Sequence, residues 1–200
     1  MMSGSMNTVP AETEGEVALA SRAAAGDDVA AHRFLQLALP RVRKTAMFLC
    51  ADELEREDVV QNTLVELVKS AGTFRGESRF SWWVDRVTVH MASRMIGKKV
   101  RRRRIHEETW FPPAHQRTLD DELDYRKMQQ ALSQVFENLK LRDRTPVVLH
   151  HLYGYSLEEV SLIMDVGLHT VRSRLRSGMK KMKRLVRHND VLADWMQVAE

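Results

Sequence analysis

Apolar residues recur along this chain at spacings of three and four, and alternation at two is sustained nowhere, so the pattern predicts helices throughout. Helical signals begin near Glu16, with Val17, Leu19 and an alanine cluster, and Gly26-Asp27 ends one helix and starts the next. Ala30, Ala31, Phe34, Leu35 and Ala38 form one stripe. Pro40 fits the first turn of a further helix through Cys50, with Val42, Ala46 and Leu49 inward. From Glu55 to Ser70, Val60, Leu64, Leu67 and Val68 share a face, while Asp58, Gln61, Asn62 and Val65 lie opposite. Gly72 and Gly76 bracket a loop, and Phe80 to about Arg101 reads as one long helix.

Residues 101–124 break the pattern with an arginine run, Phe111-Pro112-Pro113 and the acidic Asp120-Asp121-Glu122, which predicts a flexible linker. Periodicity resumes near Lys127, with Met128, Ala131, Leu132, Val135, Phe136 and Leu139 on one stripe. A helix from Asp143 to Tyr153 follows, with Pro146 in its first turn and Gly154 as its cap. Ser156-Leu157-Glu158-Glu159 is a capping box that opens a short helix carrying Val160 and Ile163. After Asp165-Val166-Gly167 a second helix starts at Leu168, with Val171, Leu175 and Met182 inward. The predicted fold is all-α: two small helical domains, at 16–100 and 125–187, joined by the linker. Residues 1–15 are expected to be disordered, and 188–200 to form a tail with at most one short helix.

The last helix carries Arg172, Arg174, Arg176, Lys180, Lys181, Lys183, Arg184 and Arg187. Two short helices, a tight turn and a basic second helix make a helix-turn-helix suited to a major groove. The net charge of +4 also favours an anionic partner. Cys50 is the sole cysteine, so no disulfide framework exists and a reducing cytoplasm is the natural setting. No apolar run reaches transmembrane length, so membrane insertion is not expected. Neither a metal-ligand spacing, nor a phosphate-cradling glycine loop, nor a nucleophile elbow is visible. No catalytic residue, metal or cofactor is therefore expected.

Three stretches carry a resemblance. Glu57-Asp58-Val59-Val60-Gln61-Asn62-Thr63 resembles EDLVQET of the extracytoplasmic-function (ECF) sigma factors of bacterial RNA polymerase. Phe74 to Arg86, FRGESRFSWWVDR, resembles FRGESSFRTWLYR, and Gly167 to Leu175, GLHTVRSRL, resembles SVGTVKSRL. The similarity covers about residues 16–187, in order and at matching spacing.

The resemblance implies a transcription initiation factor, not an enzyme, that binds core polymerase at its clamp and flap regions and recognises promoter DNA. It implies polymerase contact through Asp58, Gln61, Asn62 and Val65. It implies −10 contact through Phe74, Arg75, Gly76, Ser78, Arg79, Trp82, Arg86, His90 and Arg94, with aromatics stacking on unpaired bases and arginines holding phosphates. Contact with the −35 element falls to His169, Thr170, Arg172, Ser173, Arg174 and Arg176. His90 and Arg94 stand where the family often has Asn and Asp, Asp165 replaces a common turn glycine, and Gly167 replaces a common N-cap serine. Asn62 replaces a common acidic residue, which leaves the adjacent Thr63 as a candidate phosphorylation site. The expected controlling partner is an anti-sigma factor or a Ser/Thr kinase. The alternative is a stand-alone helix-turn-helix regulator of duplex DNA, and a third is an interaction protein that does not touch DNA. The aromatic segment Phe74–Arg86 favours the first reading over the second, and the basic helix counts against the third.

Overall fold

A computed structural model of the chain describes residues 11–103, 135, 136 and 138–187. Among these the secondary structure is entirely helical. Helix α1 spans Ala11–Ala24, α2 Asp28–Leu49, α3 Glu53–Ser70 and α4 Phe80–Arg103, with a 3₁₀ turn at Ala71–Thr73. They form the first module. The second holds α5, Leu141–Val147, a π-helical turn at Val148–Leu152, α6, Leu157–Met164, and α7, Leu168–Val186. The rest of the expected linker, most of the helix expected from Lys127, and the tail lie outside the described residues.

Helix α1 begins within the stretch expected to be disordered. Ala11, Glu12 and Glu14 are strong helix formers, and their propensity favours that start. Gly26, at φ +88°, turns the chain out of α1, and the Asp27 side chain accepts from the Ala30 amide at 3.0 Å to start α2.

Two helices were predicted where α2 runs unbroken through Pro40. A proline inside a helix costs roughly 3 kcal/mol. The stripe Ala30, Phe34, Ala38, Val42, Ala46 and Leu49 is buried on both sides of it, and each large member contributes about 1.5–3 kcal/mol. Burial therefore outweighs the lost backbone bond, and Pro40 itself faces solvent. Asp52 caps α3 by accepting from the Glu55 amide at 2.7 Å. Phe34, Phe74, Phe80 and Trp83 close the first module's core, with ring centroids 5.4–6.2 Å apart.

In the second module the single helix predicted for Asp143–Tyr153 is two pieces. Pro146 sits near the end of α5, after which the turn widens and the Tyr153 amide reaches back five residues to the Val148 carbonyl at 3.1 Å. Gly154, at φ +73°, then redirects the chain. The capping box at Ser156 forms as predicted: the Glu159 amide donates to Ser156 Oγ, and the Ser156 amide donates to Glu159 Oε2. Asp165 occupies the left-handed region at φ 51° and makes the turn that leads to α7. Helix α7 crosses α5 at Gly178, where a Cβ would stand 2.5 Å from the Asp143 carbonyl oxygen.

The two modules share a core. Leu149, Tyr155, Val160, Ile163 and Val171 belong to the same buried cluster as Phe34, Leu67 and Val84.

Candidate polymerase and promoter surfaces

The first candidate surface is the outer face of α3. Val59, Val60, Thr63 and Leu67 turn inward and are buried. Asp58, Gln61, Asn62 and Val65 lie opposite and are exposed, as the sequence predicts. Leu54, which sequence reasoning did not single out, extends that stripe by one turn. Leu54 is 81% exposed and Val65 55%, so two uncovered apolar side chains flank a polar centre. The Asn62 side chain donates back to the Asp58 carbonyl at 2.7 Å.

Thr63 corrects an expectation. The sequence put it on the flank of the docking face, open to modification; the structure places it in the core at 0% exposure, and its hydroxyl finds no hydrogen-bond partner. Its position follows from the helical repeat: Thr63 lies four residues after Val59 and four before Leu67, both buried.

The segment leading into α4 carries the second surface. Arg75 and Arg79 are exposed, Ser78 is half-buried, and Gly76 holds φ +73° between them. Phe74 is a further correction. Its ring packs against Phe80 at 5.4 Å and Trp83 at 5.5 Å, so it builds the core and is not free to stack on a base. Trp82 stays half-exposed, with the Arg86 guanidinium 5.7 Å from its ring. Arg86, His90 and Arg94 follow at four-residue spacing on one face of α4.

On α7, His169, Arg172, Ser173 and Arg176 are exposed along one side of the helix. Thr170 and Arg174, four apart, are half-buried on another side. Lys181 is not the phosphate or solvent residue its position in the basic run suggests, because its Nζ donates to the buried Asp143 carboxylate at 2.6 Å. No group of three or more potential metal ligands stands among the described residues.

These surfaces meet at a seam that sequence reasoning did not anticipate. A cavity of about 1380 Å³ lies between α4 and the second module. Arg86, His90 and Arg94 line one side of it, and Lys140, Arg142 and Arg174 the other. Beside the cavity, Asp85 is buried at 0% exposure and accepts from four donors. They are Arg41 Nε at 2.9 Å, Arg41 Nη2, Thr45 Oγ1 at 2.7 Å and Tyr155 Oη at 2.8 Å. Thr45, its proton given to Asp85, accepts from Tyr153 Oη at 3.0 Å. The Arg41 guanidinium also lies 3.8 Å from the Tyr153 ring centroid. At the other edge His90 Nε2 donates to the Ile163 carbonyl at 3.0 Å, filling an acceptor in the last turn of α6. Burial pushes the Tyr153 hydroxyl up to about 12. Burial, then the Asp85 charge, raises Tyr155 as well. For Arg41, burial works to lower the pKa, but the Asp85 carboxylate outweighs it and the net direction is upward. One sequence signal pointed here: an aspartate sits in the apolar stripe with Val84 and Val89.

Comparisons with known proteins agree with this layout. Residues 34–102 match the family description "Sigma-70 region 2", and residues 129–182 match "Sigma-70, region 4". The chain is 30% identical over 127 residues to the ECF RNA polymerase sigma-E factor of Haemophilus influenzae, covering 59% of this chain and 67% of that one. Among solved structures it is similar in fold to CnrH in complex with the cytosolic domain of CnrY (TM-score 0.58, 18% identity, 88% of this chain and 99% of that one). It is likewise similar to the sigma factor RpoE of Bartonella quintana in complex with the anti-sigma factor NepR (TM-score 0.56, 23% identity, 78% and 96%). Two helical modules in this order, with a helix-turn-helix in the second and an outward-facing helix in the first, complete the match: the chain belongs to the ECF sigma factors, initiation factors that bind core RNA polymerase and direct it to promoters.

Proposed function

We propose a division of that work among the surfaces. The α3 face, from Leu54 through Asp58, Gln61 and Asn62 to Val65, docks on core polymerase. Arg75, Gly76, Ser78, Arg79 and Trp82, continued by Arg86, His90 and Arg94, engage the −10 region. His169, Arg172, Ser173 and Arg176 engage the −35 element, joined by Thr170 and Arg174 when their side of α7 is free. In domain terms, the first module to about residue 100 is the polymerase and −10 unit, and residues 125–187 are the −35 unit.

The observation that carries this reading is the α3 face. Its inner side fills the core, so the exposed Leu54 and Val65 beside Asp58 are explained by a partner and not by folding. A stand-alone duplex regulator has no use for that face. The reading places the protein in the cytoplasm. The Cys50 thiol, buried and pushed up to about 12, is protected there from redox chemistry, and among the described residues no helix is long and apolar enough to cross a membrane. Control by an anti-sigma partner is favoured over phosphorylation of Thr63, since a kinase reaches that hydroxyl only if α3 leaves the core.

Asp58→Arg and Arg172→Ala test the assignment together. The first is expected to abolish core-polymerase capture with unchanged helical content. The second is expected to leave capture intact and reduce run-off transcription roughly tenfold or more, the scale of one lost base contact. An Asp58→Arg chain that still captures core polymerase, or an Arg172→Ala chain that transcribes normally, overturns that part of the assignment.

A further inference from the structure

The cavity beside α4 is lined unevenly. Arg86 and Arg94 on α4, Lys140 and Arg142 at the start of α5, and Arg174 on α7 all line it, against two carboxylates, Glu66 and Asp165. Among the described residues, no carboxylate forms an ion pair with Arg86, Arg94, Lys140 or Arg174. Arg142 has only Asp143, 3.8 Å away, whose carboxylate already accepts from Lys181 at 2.6 Å. His90 is not counted with them, because its Nε2 is bonded to the Ile163 carbonyl. Like charges gathered from three helices repel one another, and an anion placed among them is attracted to all of them at once.

The opposite character appears where the last turn of α3 and the 3₁₀ turn meet the cavity. Ser70 Oγ donates to the Glu66 carbonyl at 2.6 Å, and Thr73 Oγ1 donates to the Ser70 carbonyl at 2.7 Å. Both hydroxyls have therefore given their protons away and offer a ligand only lone pairs. The half-buried carboxylate of Glu66 stands with them in the lining and adds two more acceptor oxygens. That end offers acceptors without donors, while the rest offers cations. Trp83, Val87 and Met164 supply apolar wall beside them. The volume of about 1380 Å³ exceeds the roughly 300–1,000 Å³ of ordinary small-molecule pockets. A ligand that uses both ends is consequently extended, with hydrogen-bond donors at one end and negative charge at the other.

We infer that this cavity binds a nucleoside polyphosphate whose base is guanine. The phosphate chain lies among Arg86, Arg94, Lys140, Arg142 and Arg174, and the base turns its donor edge to Glu66. Arg86 and Arg94 stand about 12 Å apart along α4, a span that a phosphate chain bridges and a single phosphate does not. Guanine presents its ring N–H and its amino group side by side, which matches the two oxygens of a carboxylate; adenine offers only an amino group. Lys140 and Arg142 belong to neither promoter set, whereas Arg86, Arg94 and Arg174 serve ligand and promoter alike. The nucleotide and the promoter therefore compete, and the cavity becomes a point at which nucleotide concentration sets promoter affinity. That competition rests on the proposed −10 and −35 assignments; the binding itself does not.

The test is isothermal titration calorimetry of the full chain in magnesium-free buffer, with GTP, ATP and inorganic triphosphate as probes. GTP is expected to bind one to one, about tenfold more tightly than ATP or inorganic triphosphate, the scale of one or two net hydrogen bonds. Lys140→Ala/Arg142→Ala, at two exposed positions, is expected to weaken all three by about tenfold or more. If that pair disturbs helical content, Lys140→Ala alone is read the same way. Glu66→Gln exchanges one acceptor oxygen for a donor, and is expected to erase the preference for GTP while leaving inorganic triphosphate bound no more weakly. Arg33→Ala/Arg43→Ala, on the exposed side of α2, is the charge control and is expected to change nothing. Absence of saturable binding, or equal weakening in the α2 control, overturns the site. Equal affinity for GTP and inorganic triphosphate overturns the guanine assignment. GTP that binds but does not displace a forked −10/−35 duplex overturns the shared use of Arg86, Arg94 and Arg174, and so counts against the promoter assignments and not against the site.

Discussion

The two modules are built differently. The first spreads its core over three long helices and an aromatic cluster of Phe34, Phe74, Phe80 and Trp83. The second has helices of seven and eight residues beside α7, below the length at which isolated helices persist in water. Its own cluster is small: Phe136, Leu139, Val147 and Val148 with Leu175, Met179, Met182 and Leu185. Leu149, Val160, Ile163 and Val171 are instead buried in the cluster shared with the first module. The second module thus leans on the first. Separating them exposes apolar surface on the weaker partner, which makes opening costly in the free chain and favourable only where another surface replaces the one lost.

The largest expected effect removes the shared support. Asp85→Ala leaves Arg41, Thr45 and the Tyr155 hydroxyl without their acceptor, and breaking a buried pair this way costs about 3–5 kcal/mol. Chemical denaturation should show both modules losing stability, the second more steeply. A variant that unfolds like wild type would mean the seam carries no load.

Gly178→Ala acts on the second module alone. The new Cβ meets the Asp143 carbonyl at 2.5 Å and a Val147 methyl at 2.8 Å, and overpacking of this kind costs about 1–3 kcal/mol. The gain in helix propensity, about 0.5–1 kcal/mol, offsets only part of it. Hydrogen exchange should therefore speed up in α5 and α7 while α2 and α3 keep their protection.

Alkali addresses the seam. The Tyr153 and Tyr155 hydroxyls at the seam must keep their protons to donate, and Tyr153 is pushed from an ordinary value near 10 to about 12, with Tyr155 also raised. A raised pKa in the closed form means its contribution is complete below pH ~10 and is lost as pH rises through the range near 12. Arg41 stays charged there, and the charge of Asp85 opposes formation of a tyrosinate at Tyr155. Between pH 9 and pH 12 the distance between dyes at Gln36→Cys on α2 and Glu158→Cys on α6, both exposed positions, should lengthen before helical content falls. It should change far less in a Tyr153→Phe/Tyr155→Phe variant, which lacks both hydroxyls.

The smallest expected effect is local. Gly167 stands at the start of α7 with φ −62°, ψ 147° and no side-chain cap, and nothing lies within 4 Å of a Cβ built there. Gly167→Ser adds the missing cap and should stabilise the second module by a few tenths of a kcal/mol in thermal melts.

What the sequence displayed and what it hid divide along the same line. Features encoded within a few residues were legible: the capping box at Ser156, the turn between α6 and α7, the polar face of α3. Pro40 was misread because the local cost of a proline is visible in sequence, while the burial that overrides it comes from α3 and α4. Thr63 and Phe74 were placed outward because motif resemblance marks a segment and not the direction of each side chain. The seam was hidden most thoroughly. Tyr155 and Asp85 are 70 residues apart, and only a π-helical turn and a glycine bring the tyrosines round. The surfaces were legible one by one, but not the closed arrangement that puts two of them across one cavity.

The central claim is that the modules must part for the chain to work at a promoter. The most direct measurement places spin labels at Gln36→Cys on α2 and Glu158→Cys on α6 and records their separation first in the free chain, then with core polymerase and promoter DNA. The account predicts a single short distance in the free chain that gives way to one longer by tens of ångströms in the complex, as duplex spacing requires. A complex that transcribes while the short distance persists would contradict it.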